Sequence, residues 1–131
     1  LKALPVWELQ FEKLTPGTLP IATERVKRNI RHQERIGLAQ GPATDLSNGQ
    51  GNRIREAAKR ICRVLDLDGY CRIDFRLGRD GVPYFIEANP NPEIARSEEF
   101  AQSAAHDGVP YPELISRILA LAIARTGGEA E

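Results

Sequence analysis

A segment near the middle of the chain carries charged and amide side chains in an arrangement that could do chemistry. Two short apolar runs flank Asp80-Gly81, a dipeptide typical of tight hairpin turns. If the two strands pair symmetrically about this turn, Asp74 lies directly opposite Glu87. The same register places Arg72 opposite Asn89. Like charges directly opposite each other destabilise a sheet, so something should neutralise the two acids.

The pleat of the predicted hairpin sorts its side chains onto two faces. One face is apolar or aromatic and is expected to pack on helices; it carries Ile73, Phe75, Leu77, Tyr84, Ile86 and Ala88. The other face carries Arg72, Asp74, Arg76, Phe85, Glu87 and Asn89. A two- or four-residue loop centred on the turn gives this register, whereas a three- or five-residue loop shifts it.

The polar face offers the hard oxygen ligands that Mg²⁺ prefers, from Asp74, Glu87 and Asn89. Magnesium takes few protein ligands and keeps positions for water and for substrate phosphates. Arg72 beside such a site would be a permanently charged donor to a phosphate or a developing oxyanion. The alternative is that Arg72 and Arg76 pair with the acids as ordinary surface ion pairs.

The spacing of apolar residues predicts both strands and helices around the hairpin, and therefore an α/β (α+β) fold. The predicted elements are a strand over 4–11, a weak helix or ordered loop over 23–37, and helices over 53–67, 95–108 and 111–125. Asn52 is the expected N-cap of the second helical segment, and Gly108 the expected stop of the next. The buried face of the last helix is assigned to Leu114, Ile115, Ile118, Leu119 and Ala122.

Composition describes an ordinary globular domain of 131 residues with 18 basic and 18 acidic side chains. This balance gives no support for a nucleic-acid or membrane partner, and no apolar run approaches a membrane span. Cys62 and Cys71 lack zinc-like or CxxC spacing, so we interpret them as reduced thiols in a cytoplasmic protein. The chain has no methionine and starts at Leu1. We therefore expect it to be a piece of a longer protein.

The motifs GYCRIDFRL (Gly69–Leu77) and DGVPYFIEANPNP (Asp80–Pro92) resemble the C-terminal part of an ATP-grasp ligase, close to the D-alanine–D-alanine ligase group. The later YPELISRIL resembles the final helix of that family. The resemblance implies an ATP-grasp C-terminal lobe over 1–125, with a mainly antiparallel sheet flanked by helices, and a disordered tail at 126–131. It also implies that an N-terminal substrate domain and a central ATP subdomain precede this lobe.

The resemblance further implies ATP and two Mg²⁺ ions as cofactors, with Mn²⁺ able to replace Mg²⁺. In this family pattern Asp74 would ligate one ion, Glu87 would bridge both, and Asn89 would ligate the second. Arg72 resembles the arginine that steadies the transferred phosphate and the tetrahedral intermediate. Lys27 resembles the mobile-loop lysine that lies against the γ-phosphate, although charged residues replace its usual tyrosine neighbour.

The activity implied is that of a carboxylate–amine ligase acting through an acyl phosphate on small amino-acid-like or peptide-like substrates. The chain alone is expected to be inactive, and a homodimer is one open alternative for its assembly. The family usually continues after the E-x-N motif with a Thr-x-Pro-Gly run, which Pro90–Glu93 replaces here. Ser97 stands only roughly where the family places a serine against the second D-alanine. Both departures touch the substrate side and argue against D-alanine itself.

A different class of function stays open at this point. The chain could be a non-catalytic binding or interaction module whose acids and arginines form surface ion pairs. The basic segment 25–35 would then contact a partner or a polyanion, although it lacks the interleaved aromatics typical of nucleic-acid binding. The two hypotheses differ in whether Asp74 contributes to the affinity for a divalent cation.

Overall fold

The computed structural model describes residues 1–23, 26, 28–47 and 49–127. The strands in this part of the chain form two separate antiparallel pairs: β1 (Trp7–Phe11) with β2 (Leu38–Pro42), and β3 (Arg72–Leu77) with β4 (Pro83–Asn89). The helices are α1 (Ile30–Ile36), α2 (Gln50–Val64), α3 (Glu99–His106) and α4 (Tyr111–Gly127). The predicted α+β class with antiparallel strands is confirmed, as two ribbons rather than one sheet.

Local signals account for the ends of several elements. The Asn29 side chain accepts a hydrogen bond from the backbone N–H of His32 (2.9 Å) and starts α1, and Gly37 ends it with φ of 60°. The charged segment 23–37 is therefore helical over its second half. Strand β2 has no sequence signal, because it contains glycine and proline and forms only through its pairing with β1. The predicted N-cap Asn52 is wrong: α2 begins at Gln50, before Asn52.

The loop of the β3–β4 hairpin is longer than a tight turn. Leu77 pairs with Pro83, so residues 78–82 form a five-residue loop. It is closed by a hydrogen bond from the backbone N–H of Gly78 to the carbonyl of Val82 (2.9 Å). A loop of this length shifts the register by one residue at the turn end, as the sequence analysis anticipated for five residues.

A β-bulge restores the predicted register further along the hairpin. Phe75 lies opposite Phe85, whereas Asp74 lies opposite Glu87, so Ile86 is an extra residue on β4 without a partner. One extra residue on one strand shifts the pairing by one position. The loop and the bulge therefore offset each other, and the pairing is symmetric again where the two acids meet.

The bulge changes which side chains share a face near the turn. Phe85 joins the apolar face and Tyr84 joins the polar face opposite Arg76, the reverse of the sequence prediction. Tyr84 is exposed and donates a hydrogen bond from its hydroxyl to a carboxylate oxygen of Asp80 (2.8 Å). It is thus a surface residue that fastens the loop, and the prediction of a core tyrosine is wrong.

In the described part of the chain, the hydrophobic core cluster joins α3 to α4 rather than lying under the hairpin. Its members are Ala101, Ala104, Val109 and Leu114, with Leu4, Phe100, Tyr111 and Ile118 packed against them. Buried Ser103 donates from its hydroxyl to the carbonyl of Pro5 (2.9 Å), which ties α3 to the chain before β1. Two residues predicted for the buried face of α4, Leu119 and Ala122, are exposed.

The C-terminal helix α4 extends through Gly127, so it runs past Arg125, where the sequence analysis ends the lobe. Residues 128–131 of the predicted tail lie outside the described residues. In the part of the chain that is described, no helix combines the length and apolar character that crossing a membrane requires.

We expect Gly81→Ala to lower the free energy of unfolding by about 1 kcal/mol, because Gly81 has a φ of 74° that disfavours side chains with a Cβ. Urea unfolding followed by circular dichroism measures the change. Gly41→Ala is the matched control, since its Cβ would meet nothing within 4 Å and its φ is ordinary. Equal losses in the two variants would show that the hairpin loop does not depend on this conformation.

Candidate functional site

The polar face of the β3–β4 hairpin brings together four of the predicted site residues. Asp74 is paired with Glu87 and Arg72 with Asn89, in the register that the sequence predicted. Both pairs lie at the end of the hairpin away from the loop, beyond the bulge. We call Arg72, Asp74, Glu87 and Asn89 the acid–arginine site.

Arg72 forms a bidentate ion pair with Asp74, one of the two acids. Its Nε donates to Asp74 Oδ1 (2.8 Å) and its Nη2 donates to Asp74 Oδ2 (3.0 Å). The same Nη2 lies 3.8 Å from Glu87 Oε1, and Nη1 lies 4.0 Å from Glu99 Oε2. One guanidinium therefore sits among three carboxylates. This arrangement offsets the repulsion between the two acids that face each other across the strands.

The environment of Arg72 favours its charged form. Partial burial by itself lowers the pKa of the guanidinium, but the hydrogen bonds to Asp74 and the charges of Asp74, Glu99 and Glu87 outweigh this effect. The net result is a pKa raised above its already high usual value. Arg72 is thus a fixed positive charge, which suits it to bind a phosphate or an oxyanion and excludes a role as a proton donor.

Glu99 is the site residue that the sequence analysis missed. It lies in the first turn of α3, and its Oε2 comes within 4.0 Å of Nη1 of Arg72 because the fold brings the start of α3 next to β3. No motif or spacing links a helical glutamate to an arginine on a distant strand. The nearest available signal is the acidic pair Glu98–Glu99 shortly after the motif-bearing loop.

The loop that follows β4 is held from both sides. The Asn89 side-chain oxygen accepts a hydrogen bond from the backbone N–H of Asn91 (2.9 Å). The Tyr70 hydroxyl donates to the side-chain oxygen of Asn91 (2.9 Å), and the Tyr70 ring packs edge-on against Phe100. Pro92 is buried. The Asn89 oxygen is thus oriented by the loop and keeps a second lone pair for another partner.

The donor set fits a hard cation only if Arg72 gives way. Among the described residues, no group of three or more His, Cys, Asp or Glu side chains is arranged to hold a metal ion. The acid–arginine site instead offers two carboxylates and an amide oxygen, a set that suits Mg²⁺ with water and phosphate completing its shell. Arg72 engages both oxygens of Asp74, so a cation and Arg72 compete for the same atoms.

Other predicted residues lie outside this site. Arg76 donates to the carbonyl of Pro20 (2.9 Å) on the neighbouring loop. The Ser97 hydroxyl donates to the carboxylate of Glu98 (3.3 Å), the residue at the N-cap position of α3. Lys27 lies outside the described residues, so its predicted phosphate contact stays a prediction. A recess of about 250 Å³ lies elsewhere, on α1, lined by Asn29, Arg31, His32 and Arg35.

Comparison with known families gives a match over most of the C-terminal two thirds of the chain. A family profile described as "D-ala D-ala ligase C-terminus" matches residues 37–120, more than half of the sequence. The chain is 42% identical over 81 residues to the D-alanine–D-alanine ligase of Geobacillus kaustophilus. This aligned region covers 62% of this chain and 22% of that enzyme. The vancomycin B-type resistance protein VanB of Enterococcus faecalis is 35% identical over 81 residues, with 62% and 24% covered. The chain thus spans less than a quarter of these relatives.

Solved structures give the same answer for the fold. The D-alanine–D-alanine ligase of Bacillus anthracis superposes with a TM-score of 0.69 at 19% identity, over 97% of this chain and 38% of that one. The same enzyme complexed with ATP gives a TM-score of 0.64 at 22% identity, over 71% and 32%. At such identities the likeness concerns the fold alone, and it confirms the predicted ATP-grasp C-terminal architecture.

We expect Arg72→Gln to bind Mn²⁺ about 3- to 10-fold more tightly than the unaltered chain, because it removes the cation that competes for Asp74. Titration calorimetry measures the affinity. Arg76→Gln is the matched control on the same strand; Arg76 bonds to Pro20 instead of the acids, so its loss should leave Mn²⁺ affinity unchanged. Weaker binding by Arg72→Gln would show that the two acids do not form a cation site.

Proposed function

Because the chain belongs to the D-alanine–D-alanine ligase C-terminal family, we propose that it is the Mg–ATP-binding C-terminal lobe of an ATP-dependent carboxylate–amine ligase. In the proposed reaction a carboxylate oxygen attacks the γ-phosphorus of ATP, forming an acyl phosphate and releasing ADP. An amine then attacks the acyl carbon. The tetrahedral intermediate collapses to an amide as phosphate leaves and the amine proton is lost.

One observation carries this proposal: Asp74 faces Glu87 while Arg72 faces Asn89 across the same strand pair. Phosphoryl transfer needs the protein mainly to position groups and to offset charge, and this face supplies both kinds of group. Asp74, Glu87 and Asn89 would hold two Mg²⁺ ions, or Mn²⁺ in their place. The bound ions would neutralise the phosphate oxygens and align them for transfer.

Arg72 is the catalytic residue of the proposal. Its permanent charge would stabilise the transferred phosphoryl group and then the oxyanion of the tetrahedral intermediate. For this role it must leave Asp74, and Glu99 on α3 offers the departing guanidinium a second carboxylate. Lys27 would bind the γ-phosphate, as the family resemblance implies.

The substrates proposed are small amino-acid-like or peptide-like carboxylates and amines, with no nucleic acid or membrane involved, in a cytoplasmic enzyme. Loop geometry supports a substrate side different from the family pattern. Glu93 accepts two backbone hydrogen bonds, from Ile94 and Ala95 (both 3.1 Å), where the family places glycine. The 131-residue chain alone should bind Mg–nucleotide weakly and not turn over; amide formation by the chain alone would contradict this.

A second candidate is a non-catalytic binding module, favoured by one observation. The bidentate Arg72–Asp74 ion pair balances the charge of the Asp74 carboxylate and fills its hydrogen-bonding capacity toward Arg72 without any metal ion. Asp74→Asn separates the two candidates, because a binding module should keep the same weak affinity for divalent cations after this change. The ligase lobe should lose most of that affinity.

The central test of the ligase proposal is an Mn²⁺ titration with and without ADP. We expect Glu87→Gln to lose about 10-fold or more of the Mn²⁺ affinity, because it removes a charge while keeping the side-chain shape. ADP should tighten Mn²⁺ binding to the unaltered chain and not to the variant. Calorimetry provides both measurements.

Glu113→Gln is the matched control for this titration, since Glu113 pairs with Arg117 on the exposed side of α4. Its Mn²⁺ affinity should equal that of the unaltered chain. If Glu87→Gln also titrates like the unaltered chain, the acid–arginine site is not a metal–phosphate platform and the proposal fails.

A further inference from the structure

The two cysteines of the chain meet beside the start of β3. The sulfur atoms of Cys62 and Cys71 lie 3.0 Å apart, and both are free thiols. Cys62 is buried near the end of α2, and Cys71 is half-buried and directly precedes β3. A disulfide joins its sulfurs at about 2.05 Å, so the pair needs an approach of only about 1 Å to bond.

The intervening turn holds the two thiols together. The carbonyl of Cys62 accepts a hydrogen bond from the backbone N–H of Leu67 (2.9 Å), which curls the chain as it leaves α2. Asp66 and Gly69 then adopt left-handed φ values of 51° and 80°. These two positions reverse the chain and return Cys71 to the side of α2 that carries Cys62.

We propose that Cys62 and Cys71 are a thiol–disulfide site that closes reversibly by exchange with a small-molecule disulfide such as glutathione disulfide. One cysteine thiolate attacks a sulfur of glutathione disulfide, forms a mixed disulfide and releases one glutathione thiolate. The second cysteine then attacks the protein sulfur of that mixed disulfide and releases the second glutathione. The two protein thiol protons end on the two glutathiones, so the exchange balances without another oxidant.

The environment of Cys71 slows this exchange. Burial, together with the hydrogen bond to Cys62, raises the pKa of the Cys71 thiol to about 12. The thiolate is the reactive form, and a raised pKa keeps Cys71 mostly protonated at neutral pH. Cys71 therefore reacts slowly with oxidants at neutral pH. In a reducing compartment the pair stays open, in agreement with the reduced thiols that the sequence analysis expects, and it closes under oxidising conditions.

The bond would act next to the acid–arginine site. Cys71 immediately precedes Arg72, so a disulfide would fasten the residue before β3 to the end of α2. It would also restrict the unfolded chain by closing a short loop. We expect the oxidised chain to melt roughly 5–10 °C above the reduced chain, and a reductant to reverse the change.

The test is a titration of the 131-residue chain in glutathione redox buffers, once under native conditions and once in guanidinium chloride. Mass spectrometry after alkylation detects the disulfide as the loss of two hydrogens and of both alkylation sites. The fold holds the two thiols in contact. The native chain should therefore form the disulfide at a ratio of glutathione disulfide to reduced glutathione roughly 100-fold lower than the unfolded chain requires. Equal midpoints, or glutathione adducts or linked dimers in place of the internal bond, would overturn the proposal.

Cys71→Ser is the control variant, because Cys71 is less buried than Cys62 and a serine hydroxyl can keep a hydrogen bond there. This variant leaves buried Cys62 without a partner thiol, so it should form no internal disulfide and should show no oxidation-dependent rise in melting temperature. A melting temperature that falls when the unaltered chain closes its disulfide would also count against the proposal. The readouts are independent of metal and nucleotide, so they stand apart from the test of the ligase activity.

Discussion

Two carboxylates that face each other across an antiparallel strand pair repel, and the rest of the hairpin is arranged around that repulsion. Asp74 and Glu87 keep this position because Arg72 bridges toward both, with two hydrogen bonds to Asp74 and a longer approach to Glu87. Ion pairs on a partly exposed face contribute little stability, so stability alone gives little reason for this cluster. It is well suited to a site at which a divalent cation and a phosphate replace the arginine's present contacts.

The sequence predicted the pairing of the acids correctly for a reason that was only partly right. A symmetric turn was assumed, whereas the hairpin has a five-residue loop and a compensating bulge at Ile86. Alternation of polar and apolar residues cannot distinguish these two solutions, because both place Asp74 opposite Glu87. The difference appears only near the turn, where Phe85 and Tyr84 exchange faces. Bulges often lie beside functional sites because they redirect side chains and increase local twist.

Features that depend on tertiary packing were beyond the sequence. Strand β2 contains glycine and proline and forms because β1 offers it a partner. Leu119 was predicted on a buried helix face, yet it is 58% exposed in the described structure. The spacing of apolar residues predicts a helix face but not which element covers it. Glu99 reaches Arg72 only through the docking of α3. By contrast, the four residues of the acid–arginine site lie within one short segment. Their residue types and the family motif were therefore enough to predict them from the sequence.

A crystal structure of the chain with Mn²⁺ and ADP tests the central claim most directly, because manganese is located by its anomalous scattering. The account predicts an anomalous peak between the carboxylates of Asp74 and Glu87, with Arg72 turned away from Asp74 toward Glu99 or the nucleotide phosphates. The claim would be contradicted if Arg72 still clasped Asp74 and bound manganese lay elsewhere or nowhere on the chain. The acids would then be a structural ion-pair cluster.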